Sequence, residues 1–243
     1  MGLAMTRPRL VVVAALACGG CAATSVRPPS PAALPAAGEV ASRYPPGDRL
    51  FVAVFGSDRP LPRPDRCHTW ATAVRLSGGA VAEELSVSWM PATLDIRPGR
   101  LRVEPGVNMS HGGALAYAAG DGQRVVGWGP YEVTPELFGR LRVQADWLAA
   151  GGTMYQSLDT LGEAGRTGAG TNCIHALCDL PGFGRCRQPL ALGYGATAGG
   201  WVARRLRHGG EAVGGPEPGL RPHFGEGVRW RGGAVSRPAG RTG

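Results

Sequence analysis

Hydrophobic and polar positions divide the chain into a patterned middle and two unpatterned ends. Leu50 to Phe55 form an unbroken apolar run closed by Gly56, Ser57 and Asp58, which predicts a buried strand. His68-Thr69-Trp70-Ala71-Thr72-Ala73-Val74-Arg75-Leu76 is β-prone, and Gly78-Gly79 separates it from Glu84-Leu85-Ser86-Val87-Ser88-Trp89, so the two predict an antiparallel pair. Leu85, Val87 and Trp89 alternate with Glu84, Ser86 and Ser88, which predicts one core face and one polar face. Residues 124 to 128 add a further strand. Thr134 caps the clearest helix, Pro135 takes its first position, and Leu137, Leu141, Val143, Trp147 and Leu148 share its inward face before Gly151-Gly152 ends it. A second helix is expected from Asn172-Cys173 to before Pro181, and a third through residues 201 to 206.

The pattern predicts one α+β domain over residues 49–208, long enough for a sizeable core. Residues 22–48, rich in Pro and Ala, read as an extended tether. Residues 209–243, rich in Gly and Arg, read as a disordered tail that folding does not need. The first 21 residues read as an export signal: Arg7 and Arg9 precede a short apolar core, Leu10 to Ala17, and then small residues. That core is shorter than the roughly 20 residues a membrane-spanning helix needs. Cys21 and Cys18 are both placed to receive a lipid, which implies an exported cell-envelope lipoprotein held to the membrane by its anchor. An ordinary signal peptide cut near Ala22 or Ala23 is the alternative.

The formal charge of +8 changes little in this picture. All 26 basic residues are Arg, a bias that fits a GC-rich coding composition better than a binding surface. The signal takes two of them, and the segment from Arg204 onward carries a net +5, which leaves the body near neutral. Export and a neutral body oppose nucleic-acid binding, and the tail reads as solvated, with anionic lipid as its other available contact. No cofactor and no metal is implied.

The candidate chemistry lies in the cysteines outside the signal: Cys67, Cys173, Cys178 and Cys186. Cys178 and Cys186 would close a short loop as a disulfide in an oxidising compartment. Cys173, His175, Cys178 and Cys186 are spaced too irregularly for a zinc clasp. A thiol at a helix start gains thiolate character from unpaired N–H groups and the helix dipole, so Cys173 is the candidate nucleophile. His68 is the candidate base. Asn172 is a cap or oxyanion candidate, and Glu84, Ser86 or Ser88 could orient His68. Inert core remains the alternative for Cys173, and a structural role is the reading for His175.

Asn172-Cys173-Ile174-His175-Ala176-Leu177 resembles the Asn-Cys-x-His motif of the lecithin:retinol acyltransferase-like branch of the NlpC/P60 superfamily. His68-Thr69-Trp70-Ala71 resembles the strand on which that branch carries its catalytic His. The resemblance covers about fifteen residues in two patches. It implies a permuted papain-like fold, an antiparallel sheet packed against helices. It also implies a hydrolase or acyltransferase in which Cys173, activated by His68, attacks an amide or ester of a peptide, peptidoglycan or lipid through a thioester. Backbone N–H groups at the start of the Cys173 helix would hold the oxyanion. Relatives of that branch often carry a second polar partner, commonly another His, on the strand after the first, and between His68 and His111 this chain has no histidine. Three further segments, at 88–91, 104–108 and 128–132, resemble those of a group of exported bacterial proteins without an assigned activity. The alternative to catalysis is an envelope lipoprotein that binds a partner.

Overall fold

The apolar run at 50–55 becomes the centre of a sheet covered on both faces. The computed structural model describes residues 35–61, 63–100, 102–157, 170–180, 195–208 and 212–231. The first strand, β1 (Arg49–Asp58), pairs antiparallel with β2 (Cys67–Ser77), and β2 pairs antiparallel with β3 (Ala80–Val87), the hairpin expected around Gly78-Gly79. Two short strands, β4 (Trp89–Pro91) and β5 (Gly106–Asn108), form a separate ladder. On the other side of β1 lies β6 (Arg124–Val133), longer than the expected 124 to 128. The outer edge of β6 is shared by β7 (Ala212–Pro216), antiparallel, and β8 (Arg229–Arg231), parallel. The main sheet therefore runs β3-β2-β1-β6-β7, with β8 beside β7 on β6.

The helices are α1 (Ala37–Ala41), α2 (His111–Gly120), α3 (Pro135–Ala149), α4 (Cys173–Cys178) and α5 (Gly195–His208), with a 3-10 turn at Pro218–Phe224. The cap of α3 is the expected one, with Thr134 Oγ1 accepting from Leu137 N at 3.3 Å. The five apolar residues assigned to its inward face are buried. Residues 201 to 206 are the C-terminal half of α5, which begins at Gly195. No described helix is long and apolar enough to cross a membrane.

Strand alternation sorts the core into two clusters. On the first face Leu50, Val52 and Val54 meet Ala71, Ala73 and Val87 under α3, α4 and α5. On the second face Phe51, Ala53 and Phe55 meet Trp70 and Val74 under Ala114 of α2 and Phe224 of the 3-10 turn. The first helix of that sandwich edge, α2, lies in a Gly- and Ala-rich stretch without an apolar period. It forms because Ser110 Oγ accepts from Gly113 N at 3.1 Å and because Ala114 and Ala118 are small enough to lie flat in the core.

Two boundaries differ from expectation. The tether does not extend to residue 48, because α1 packs on α3, Val40 and Ala41 are buried, and Tyr44 sets its ring edge-on to Phe138 at 4.9 Å. The disordered tail expected from 209 is also corrected, since residues 212 to 231 supply two strands and the buried Phe224. Gly- and Pro-rich composition lowers the intrinsic drive to fold, but two aromatic anchors, Phe224 and Trp230, give this segment an apolar surface to lose to the second core. The signal residues lie outside the described residues.

Candidate functional site

Cys173 opens α4, and its approach is fixed rather than flexible over the described residues. Thr171 N donates to Met154 O at 2.9 Å, and Thr171 O accepts from Gln156 N at 3.0 Å. Asn172 then caps the helix: its Oδ1 accepts from Ile174 N at 2.9 Å and His175 N at 3.0 Å. The cap was legible in the sequence. It also occupies two N–H groups that an oxyanion at this helix start would use, so Asn172 acts here as a competitor for those donors. Cys173 is half-buried against the first-face cluster.

His68 stands elsewhere. Its ring stacks on Trp70 two residues along β2, with centroids 5.3 Å apart and planes at 14°, so it shares the second face with Trp70. The sheet therefore lies between the His68 ring and the cluster against which Cys173 packs. His68 is 1% exposed, and burial alone drives its pKa down from 6.5 to about 3, so the ring is neutral. Its Nε2 lies 2.8 Å from Ser88 Oγ, while Nδ1 has no hydrogen-bond partner among the described residues. Neither nitrogen is hydrogen bonded to Cys173. A base facing away from the thiol, sealed from solvent, cannot take its proton.

The three orienting candidates separate in the same way. Ser88 is the one that reaches His68. Ser86 Oγ instead lies 3.0 Å from Thr72 Oγ1, and Glu84 pairs with His223 Nε2 at 2.8 Å near the surface. Of the other cysteines, Cys178 is a buried thiol at the end of α4, and Cys186 lies outside the described residues, as do residues 181 to 185 of the loop the two would close. His175 is buried on α4. Among the described residues, no three His, Cys, Asp or Glu side chains gather as a metal site.

Two features escaped the sequence. His111, the first residue of α2, is 4% exposed and fully engaged: its Nδ1 accepts from Trp70 Nε1 at 3.1 Å and lies 3.1 Å from Thr72 Oγ1, and its Nε2 lies 3.0 Å from Phe224 O. Trp70 can only donate, so the network assigns the ring proton to Nε2, which donates to Phe224. The second feature is the neighbourhood of Cys67. This residue faces Asp58 across the ladder, and the Asp58 carboxylate accepts from Gly195 N and Ala196 N at 2.7 Å each, capping α5. Gly56 makes that approach possible, because a Cβ there would sit 2.0 Å from Gly195 O. Burial pushes the Cys67 thiol well above the usual thiol range, and Cys173 nearby adds to the rise.

No family model matches the chain, and no curated protein or solved structure is significantly similar to it.

Proposed function

We propose that the chain is an exported envelope lipoprotein, anchored through Cys21 or Cys18, whose body serves by binding a partner and performs no thiol catalysis. One observation carries this reading: His68, the only base the motif resemblance offers Cys173, is sealed on the opposite face of the sheet and held by Ser88. The order of elements, a strand opening near His68 and a later helix opening on Cys173, supports a permuted papain-like arrangement for the α+β body. On this reading the scaffold is retained and the dyad is not assembled.

Iodoacetamide alkylation of Cys173 as a function of pH tests the proposal in the full chain. An unassisted thiol becomes reactive only as pH approaches about 8.5. The expected rate therefore rises through mildly alkaline pH and is the same within about twofold in His68→Gln. A Cys173 that reacts rapidly near about pH 6, and loses that reactivity in His68→Gln, would overturn the non-catalytic reading and restore the hydrolase. The anchor is tested separately by membrane partition, which the Cys18→Ser, Cys21→Ser double variant should abolish; persistent membrane association would sink the lipid-anchor half of the proposal.

A further inference from the structure

α5 lies along β6 on the first face, and two contacts fix which of its sides follows that strand. A Cβ at Gly200 would meet the Trp128 ring at 3.2 Å, and seven residues later the Arg207 guanidinium lies over the Tyr131 ring at 5.6 Å. Seven residues are two helical turns, so Gly200 and Arg207 share one side of α5, and Arg204, one turn after Gly200, falls beside them. On the outer edge of β6, Trp230 of β8 packs over Gly127 into the second-face cluster. Strand alternation therefore turns Arg229 and Arg231 to the first-face side, where Arg231 is the ladder partner of Trp128. Arg204 and Arg207 from α5 and Arg229 and Arg231 from β8 thus line one rim of the sheet, with Trp128 half-buried between the two elements. All four arginines are exposed, and among the described residues none has an acidic partner. Glu132 of β6 and Glu217 after β7 are drawn to Arg49 instead, at 2.9 and 3.5 Å.

We propose that this arginine rim around Trp128 is a docking face for an anionic lipid surface, a second point of attachment for a chain held by its N-terminal lipid. The inference rests on the lipoprotein reading above. Charge complementarity favours this occupant: a guanidinium stays charged at any pH an envelope meets, and its planar fork matches a phosphate oxygen pair. A tryptophan among such cations has the amphipathic ring that settles at headgroup depth. Export separates the chain from nucleic acid, whereas an anchored body meets headgroups at high effective concentration. A contact too weak to hold the chain alone then sets its orientation, as a basic patch does beside a lipid chain. With the β6 edge against the membrane, the β3 edge at the other end of the sheet faces away from it. The rim adds to the anchor without replacing it, since salt near about 0.15 M screens exposed charges. The loss of membrane partition expected for the Cys18→Ser, Cys21→Ser variant is a statement about that salt.

The test sediments the full chain carrying Cys18→Ser and Cys21→Ser with vesicles of phosphatidylglycerol and phosphatidylcholine, or of phosphatidylcholine alone, at about 0.01 M and about 0.15 M salt. The chain should bind the anionic vesicles at the lower salt, lose them at the higher, and leave the zwitterionic ones unbound. Changing Arg204, Arg207, Arg229 and Arg231 together to Gln should weaken that binding on the order of 100-fold, while changing the same four to Lys should keep it within about threefold. A charge-matched set elsewhere, Arg43, Arg63, Arg97 and Arg102 to Gln, should also stay within about threefold of the parent. An equal loss in the two Gln sets would assign the binding to net charge and overturn the rim. So would a loss in the Lys set, a rim variant that binds like its parent, a parent that ignores anionic vesicles, or retention on duplex DNA in place of lipid. The anchor is read separately, from partition of the chain with both cysteines intact at about 0.15 M salt, so the rim can fail while the lipoprotein reading stands.

Discussion

Asn172 shows how one position in the sequence carries two readings, a helix cap and an aid to an oxyanion. An Asn before an apolar helical stretch is a cap signal, and its Oδ1 does bind the first free N–H groups of α4. Those donors cannot serve a cap and an oxyanion at once, and nothing in residue order says which use prevails. His68 poses the complementary difficulty. Eight consecutive positions of β2, from Cys67 to Val74, are buried, because both faces of the sheet are covered. Alternation of apolar and polar residues assigns faces only where one face meets water, so the sequence could place His68 on a strand without saying which way it points. For the cap itself the expected outcome is that Asn172→Ala lowers the unfolding free energy by about 1 kcal/mol in urea titration. An unchanged midpoint would mean that packing alone holds this six-residue helix.

At the scale of elements, the well-patterned segments were legible and the poorly patterned ones were not. The hairpin of β2 and β3 and the capped helix α3 carry their periods in the sequence. The segment from Ala212 to Arg231 carries none, yet it closes the second face through a few anchors: Phe224 is fully buried, Trp230 sets its ring 5.7 Å from Phe55, and the Phe224 carbonyl accepts from His111. Such a strap is invisible to periodicity because its apolar residues are single and its backbone bonds go to partners a hundred residues away. Phe224→Ala should cost about 3 kcal/mol, the toll of emptying a filled site among Phe55, His111 and Trp230. Equilibrium unfolding of this variant is the check, and a cost below about 1 kcal/mol would return the segment to the status of a dispensable tail.

For the whole molecule the consequential feature is that two neutral histidines are enclosed beneath one face of the sheet. His68 meets Ser88 and Trp70, with no charged partner in contact among the described residues, and burial lowers its pKa to about 3. His111 meets Trp70 and Thr72 from β2 and the carbonyl of Phe224 from the strap; Glu84 and His223 act on it from further off. Its pKa is lowered too, by burial first. Both groups bind protons more readily unfolded than folded. Their contribution to stability is therefore complete above the unfolded value of 6.5 and is lost as pH falls below it, for His68 down to about 3. The lowered carboxylates Asp48, Asp121 and Glu132 lose their own contribution only from 3.8 to 4.5 downward, so between 6.5 and 4.5 the loss comes from the histidines and not from these three carboxylates. Between roughly pH 6 and pH 5, His68 alone should remove about 1 kcal/mol of stability, and His111 adds to the loss in the same direction. Urea unfolding at these two pH values measures it. In His68→Gln, which keeps a polar partner for Ser88 but binds no proton, the slope should fall by the His68 share while the stability near neutral pH changes separately. A slope in His68→Gln as steep as in the parent chain would show that His68 is not neutral and enclosed in solution, and with it the separation of His68 from Cys173 would lose its support.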